Sequence, residues 1–401
     1  MSLNETPSAE RLQIAFFGCR NAGKSSIVNA VTNQEMSVVS AIKGTTTDPV
    51  KKAMELLPLG PVVIIDTAGY DDDGVLGQLR IAKTQQILNR TDIAVLVVDG
   101  CRGMQSADRE LLWMFVQKQI PYLIVCSKAD LHDAAAAESQ DWLRVSAVTG
   151  MNIDVLKERI AALVPNAAEK QPLIADLLEA GDSVVLVCPI DESAPKGRLI
   201  LPQQQTIRDV LDADASAIVT KETGLQSVLE NLRTPPRMVV TDSQALGAVK
   251  SVVPDEIPLT TFSILMARYK GFLKTAVAGI ATAKKLRAGD VVLMAEGCTH
   301  HRQCNDIGTV KIPHLLQKYC GCELVFENCS GSGFPSDLSR FSLVIHCGGC
   351  MLPDREIQHR MQTAAQQGIP MTNYGIALAQ MTGTLERTLR SFPDIHALLC
   401  K

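Results

Sequence analysis

An α/β chain with mainly parallel sheet is what this sequence predicts, and three observations predict it. Over residues 11–165, short apolar runs alternate with amphipathic stretches. A glycine-rich loop stands between the first such run and the first amphipathic stretch. Two proline-bearing breaks then set off two further units of the same mixed character.

Residues 14–17, 62–65, 94–98 and 122–126 read as buried strands, being short, apolar and bounded by turn or charged residues. Residues 24–31, 76–89 and 107–118 fall between them and read as helices, so right-handed crossovers would join parallel strands. Residues 164–172 carry two prolines among small and polar residues, the composition of a linker. The next unit has candidate strands at 183–187, 217–219 and 238–241, and a loop at 188–202 rich in proline, glycine and charge. Pro254 and Pro258 suggest the following boundary. The last unit has candidate strands at 291–294, 324–326 and 343–346. The expected domains are therefore 1–167, 168–258 and 259–401, and no internal repeat is visible in the sequence.

At 401 residues the chain exceeds one compact core, and 46% hydrophobic against 20% charged residues describes a folded protein. With 39 basic and 43 acidic residues and 4% aromatics, it has neither the basic excess nor the stacking surface of a nucleic-acid binder. No apolar run is long enough to span a bilayer, and no signal peptide is visible, so a cytoplasmic location is expected. Twelve cysteines in such a chain point to metal or redox chemistry rather than to a disulfide scaffold. Seven of them, with four of the seven histidines, fall between 298 and 350.

Gly18-Cys-Arg-Asn-Ala-Gly23-Lys24-Ser25 fits the P-loop spacing and lies between a candidate strand and a candidate helix. Gly18 and Gly23 let the backbone form a nest of N–H donors around a phosphate, at a helix N-terminus that favours anions. Lys24 would neutralise the β- and γ-phosphates and Ser25 would ligate Mg²⁺; Asn21, Ala22 and Ser26 complete the nucleotide-binding set. Asp66-Thr-Ala-Gly69 follows the second strand, where Asp66 would hold Mg²⁺ through water and Gly69 would offer its N–H to the γ-phosphate. Ser127-Lys128-Ala-Asp130 and Ser146-Ala147 follow in order. The Asp130 carboxylate can accept from guanine N1–H and its 2-amino group, which adenine does not offer. The Lys128 stem can cover the purine face, and a backbone N–H in the Ser146-Ala147 segment can serve guanine O6. Ser127 stands where guanine-specific P-loop proteins carry Asn, which leaves one supporting hydrogen bond open.

Residues 11–165 resemble the TrmE–Era–EngA group of GTPases, on Asn21 within GCRNAGKSS, on Gly44-Thr45-Thr46-Thr47-Asp48 and on DTAGYDD. The resemblance implies that Thr46 is the Mg²⁺-binding switch threonine and that Asn21 ligates a K⁺ ion standing in for an arginine finger. A turn residue tolerating left-handed backbone is the plainer role for Asn21. Tyr70 replaces a glutamine after the Asp66–Gly69 motif, so slow intrinsic hydrolysis is expected.

Cys298-Thr-His300 and His346-Cys347-Gly-Gly-Cys350 each follow a candidate strand, which would bring both to one sheet edge. Soft thiolates select iron–sulfur clusters, zinc or copper(I). Three cysteines would leave one iron of a 4Fe–4S cluster with an exchangeable ligand, while Cys₃His is also a standard zinc set. Candidates for a fourth ligand, or for donors that support the sulfurs from outside the cluster, are His300, His346 and Asp191, with Glu192 beside it. Cys304, Cys320, Cys322 and Cys329 have no assigned role.

P-loop motifs joined to this constellation resemble the HydF family of FeFe-hydrogenase maturation scaffolds. PIDESAPKGRLILPQ at 189–203, FSILMARYKG at 262–271 and DIGTVKIP at 306–313 carry the resemblance along nearly the whole chain. It implies a P-loop GTPase domain followed by two further α/β domains, for dimerisation and cluster binding, in a homodimer. It also implies a carrier that receives a diiron precursor from the maturases HydE and HydG and delivers it to apo-hydrogenase. The competing readings are a GTPase with a structural zinc domain, acting as a regulatory or ribosome-associated factor, and an iron–sulfur redox enzyme.

Overall fold

The computed structural model describes residues 7–33, 49–70, 75–131, 142–164, 171–190, 199–297 and 307–400. The chain divides into two compact units, one built on Met1–Ala168 and one on Glu169–Leu352 with Ile357–Lys401.

The first unit holds strands β1 (Leu12–Phe17), β2 (Val50–Leu56), β3 (Gly60–Asp66), β4 (Ile93–Asp99), β5 (Tyr122–Ser127) and β6 (Leu143–Arg144), in the sheet order β2-β3-β1-β4-β5-β6. Every pairing is parallel except β2 with β3. Strand residues alternate between faces, so the sheet carries two cores. Ile14, Phe16, Ile64 and Val95 meet Ile27 and Val31 of helix Lys24–Thr32 and Leu156 and Ile160 of helix Ile153–Ala162. Ala15, Phe17, Ile65 and Leu96 meet Leu88 of helix Val75–Leu88 and Leu111 and Phe115 of helix Ser106–Gln117. Burial on both faces is why these strands are continuous apolar runs. β2 has no such signal. It is an edge strand whose Lys51, Ala53 and Glu55 face outward, and its place comes from pairing with β3. In register, Phe16 lies beside Asp66 and Phe17 beside Leu96, so the loops leaving β1, β3 and β4 converge at one sheet edge.

The second unit holds two four-stranded parallel sheets. One consists of β7 (Ser183–Val187), β8 (Ser216–Thr220), β9 (Met238–Thr241) and β10 (Leu259–Thr261), in the order β10-β9-β7-β8. The other consists of β11 (Val291–Glu296), β12 (Val325–Ser330), β13 (Leu343–His346) and β14 (Met371–Asn373), in the order β12-β11-β13-β14. Both sheets therefore have the same topology: the first strand is flanked by the second and third, and the fourth lies outside the third. In each, the last residue of the fourth strand caps the helix that follows. Thr261 Oγ1 accepts from Ile264 N at 3.3 Å, and Asn373 Oδ1 accepts from Ile376 N at 2.8 Å. Those helices, Phe262–Tyr269 and Tyr374–Met381, meet where a Cβ on Gly375 would fall 1.9 Å from Ser263 Oγ, so only glycine fits. The two sheets draw on one continuous hydrophobic core.

The expected boundary at 258 cuts this arrangement. Leu259 pairs with Val239, so residues 259–261 close the preceding sheet, and two prolines flank a loop inside a domain. No helix among the described residues is long and apolar enough to cross a membrane.

Candidate functional site

The loop after β1 has the backbone a phosphate nest requires. Gly18 adopts φ 143°, and a Cβ there would lie 2.2 Å from Val97 O. Asn21 (φ 59°) and Gly23 (φ 90°) are left-handed, and the Asn21 side chain is exposed. Lys24 is buried, and its Nζ donates to Gly18 O at 3.0 Å and Cys19 O at 2.8 Å, so the ammonium is held over the loop. Ser25 Oγ donates to Asp66 Oδ2 at 2.6 Å, which brings together the two groups expected around Mg²⁺. Gly69 presses on the same loop, since a Cβ there would lie 2.8 Å from Arg20 Cα. The Tyr70 ring is buried in the core while its N–H donates to Gly18 O at 3.1 Å. The expected switch residue Thr46 lies outside the described residues.

One loop partner was missed by sequence reasoning. Asp108, fully buried on helix Ser106–Gln117, accepts from Cys19 N at 3.3 Å and Cys19 Sγ at 3.2 Å with Oδ1, and from Gln105 N at 3.1 Å with Oδ2. Its local signal is that of a helix-capping carboxylate.

The base side is assembled at the ends of β5 and β6. Ser127 is buried, and its hydroxyl lies 2.6 Å from Ala22 O and 3.0 Å from Val98 O, tying the end of β5 to the phosphate loop and to β4. The serine standing in the Asn position is thus bonded to the phosphate loop through its hydroxyl. Lys128 turns left-handed (φ 58°), and its Nζ donates to Asp99 Oδ2 at 2.7 Å. Burial alone would raise Asp99, but the hydrogen bond from Lys128, the Cys101 amide and the nearby Arg102 hold its carboxyl below the usual range. Ser146 Oγ donates to Asp130 Oδ1 at 2.6 Å, which ties the loop after β6 to the loop after β5.

The cysteine loop follows β13. β11 and β13 are neighbours with Ala295 beside His346, and Cys347 N donates to Ala295 O at 2.8 Å. This is the point where strand order reverses. Cys347 Sγ accepts from Gly297 N at 3.0 Å and Gly349 N at 3.4 Å. Burial pushes the Cys350 thiol up, partly offset by the Lys270 ammonium and loop amides. His346 is fully buried. Arg360 Nη1 lies 2.9 Å from its Nε2, and Cys347 O lies 2.7 Å from its Nδ1. Arginine only donates, so Nε2 accepts and the proton sits on Nδ1, donating to Cys347 O. Burial, then the Arg360 charge, lower the imidazole to about 3. Both ring nitrogens are committed, so of the two roles expected for His346 the arrangement fits support of the loop and not ligation. Cys298, His300, Asp191 and Glu192 lie outside the described residues, and among the described residues no three His, Cys, Asp or Glu side chains are grouped to hold a metal ion. Cys320 Sγ lies 3.2 Å from Ala283 O and Cys322 Sγ 3.8 Å from Leu286 O, so these thiols bond to nearby backbone.

A family model described as 50S ribosome-binding GTPase matches residues 13–128. The hydrogen maturase F dimerization domain matches residues 173–271, and the hydrogen maturase F tetramerization domain matches residues 274–391; together these two span more than half of the chain. The chain belongs to the hydrogen maturase F family. The domains of that family part between 271 and 274, after the first of the two sheets and its capped helix, and the region expected to bind the cluster coincides with the family's tetramerization domain. Curated relatives include the tRNA modification GTPase MnmE of Synechococcus sp. (strain CC9605), 35% identical over 156 residues, covering 38% of this chain and 34% of the relative. GTPase Der of Wolinella succinogenes is 31% identical over 186 residues, covering 42% and 39%. The chain thus spans between a third and two fifths of the length of these relatives. Among solved structures, a point variant of Aquifex aeolicus Era bound to GDP.AlF4- is 19% identical, with a TM-score of 0.35, covering 52% of this chain and 93% of that one.

The donor set fits an iron–sulfur cluster on the side that is described. The C-x-x-C loop has glycine at both inner positions, and Cys347 Sγ receives two backbone N–H groups, the kind of contact that stabilises a cluster thiolate.

Proposed function

We propose that this chain is a GTP-hydrolysing scaffold of FeFe-hydrogenase maturation. In this reading GTP and Mg²⁺ are held in the first unit by Gly18, Asn21, Ala22, Gly23, Lys24, Ser25, Ser26, Thr46, Asp66 and Gly69, with guanine selected by Ser127, Lys128, Asp130, Ser146 and Ala147. A 4Fe–4S cluster is held by Cys298, Cys347 and Cys350, and the fourth site is left to a weaker ligand such as His300 or Asp191. The cargo is a diiron precursor received from HydE and HydG and passed to apo-hydrogenase, and the chain acts as a homodimer or higher oligomer in the cytoplasm. When bound, the cluster supplies an iron site open to exchange; the protein's part is to present the thiolates and hold the loop.

The observation that supports this reading is the union in one chain of a P-loop, with Lys24 over the loop, Ser25 on Asp66 and Ser146 on Asp130, and the hydrogen maturase F domains with their Cys347–Cys350 loop. Those domains favour it over a zinc-bearing ribosomal factor. The nucleotide half is tested by GTP turnover in K⁺ and in Na⁺. Turnover rises in K⁺, Asn21→Ala removes the rise, and Lys24→Ala removes turnover altogether. Equal rates in the two salts would remove K⁺ from the account, and full activity of Lys24→Ala would remove the site.

A further inference from the structure

The loop 346–352 is anchored to buried cations at both of its ends. At the first, Arg360 is fully buried and uses its fork twice: Nη1 lies 2.9 Å from His346 Nε2 and Nη2 lies 2.5 Å from Gly331 O. Its guanidinium also lies 5.0 Å from the Phe334 ring centroid, which fixes the plane of the fork. His346 passes this anchoring on through the bond from Nδ1 to Cys347 O, and its ring meets Phe272 edge-on at 6.5 Å. At the other end Lys270 is buried, and its Nζ donates to Leu352 O at 2.7 Å. Between the anchors, Gly349 is left-handed (φ 64°), and a Cβ there would fall 2.6 Å from Ile357 Cδ1. Two adjacent glycines would otherwise leave this loop many conformations, and restricting them places the sulfurs before any ligand arrives.

We propose that Arg360 and Lys270 are positioning residues that clamp the Cys347–Cys350 loop, Arg360 through His346 and Lys270 through the Leu352 carbonyl, and that they set positive charge beside an anionic thiolate cluster. The inference rests on the cluster reading above. Outer contacts of this kind orient metal ligands, and net charge around a cluster sets its reduction potential. A guanidinium is required at one end, because a single ammonium cannot reproduce the planar fork that serves His346 and Gly331 together.

The test uses the full chain, reconstituted anaerobically with ferrous iron and sulfide. Two quantities are read: the rate at which iron passes to a ferrous chelator, and the midpoint potential from an EPR-monitored titration. Arg360→Gln and Lys270→Met should each speed iron loss by about 10- to 100-fold and lower the midpoint potential. Arg360→Lys should lose retention but keep most of the potential, since the charge remains while the fork is gone. Wild-type rates and potentials in both Arg360→Gln and Lys270→Met would overturn the clamp. If Arg360→Gln fails to fold, Lys270→Met decides alone, since wild-type behaviour there leaves the loop without a cationic anchor at its far end. Cys347→Ser separates the two levels. If it keeps its iron, the cluster reading fails; if it loses iron while the cation variants behave as wild type, only the clamp fails.

Discussion

Replacing Ser127 by alanine tests how the phosphate loop is tied to the base-recognition side. The hydroxyl is buried and lies between Ala22 O at 2.6 Å and Val98 O at 3.0 Å, so one proton is shared by two carbonyls on different elements. Removing it leaves buried acceptors without this donor, a cost of about 1–2 kcal/mol. Alanine keeps the Cβ that serine already has and adds no atom, so packing strain adds nothing. Both tryptophans, Trp113 and Trp142, lie in the first unit, and Trp142 packs on its core, so fluorescence in a urea titration reports that unit selectively. Ser127→Ala should shift the midpoint down with unchanged slope, and GDP should bind about tenfold more weakly, 1.4 kcal/mol being tenfold in affinity. A midpoint and a GDP affinity both at the wild-type value would show that the hydroxyl does not hold the loop.

Asp99 gives the first unit an acid-sensitive contact. Its folded pKa lies below the ordinary carboxylate value, so its contribution is whole above that value and fades as pH falls through the depressed one. As pH falls below about 4, wild-type stability by Trp fluorescence should fall more steeply than that of Asp99→Asn, and parallel curves would refute this. Asp130→Asn should reduce the preference for GTP over ATP by about tenfold or more, because a charged hydrogen bond to the base is lost; competition binding measures it, and an unchanged ratio would remove Asp130 from base recognition.

The central strands were legible because helices cover both faces of their sheets, which forces continuous apolar runs such as residues 93–98. β2 was not, since an edge strand alternates its charged residues outward and is specified by its neighbour. β10 was hidden by the prolines beside it: three residues cannot announce a strand, and only their pairing with β9 makes them one. The repeated sheet topology escaped because it survives in sequence only as a faint echo, Thr261-Phe-Ser-Ile against Asn373-Tyr-Gly-Ile, at the two capped helix starts.

The candidate phosphate-loop residues could be read off because they form one contiguous segment, 18–26. Asp108 could not, being 89 positions from the cysteine whose amide and thiol it holds. His346 shows the same limit at the other site. Its spacing suggested a ligand, but its chemistry is set by Arg360 and by complete burial, neither of which is visible in the His-Cys-Gly-Gly-Cys string.

The most direct measurement is the iron content and EPR spectrum of the anaerobically reconstituted full chain, for wild type and for serine variants of Cys298, Cys347 and Cys350. The prediction is a brown protein with about four iron atoms per chain, and loss of most of that iron in each variant while GTP turnover persists. A colourless chain that retains zinc and no iron, or iron undiminished in all three variants, would contradict it.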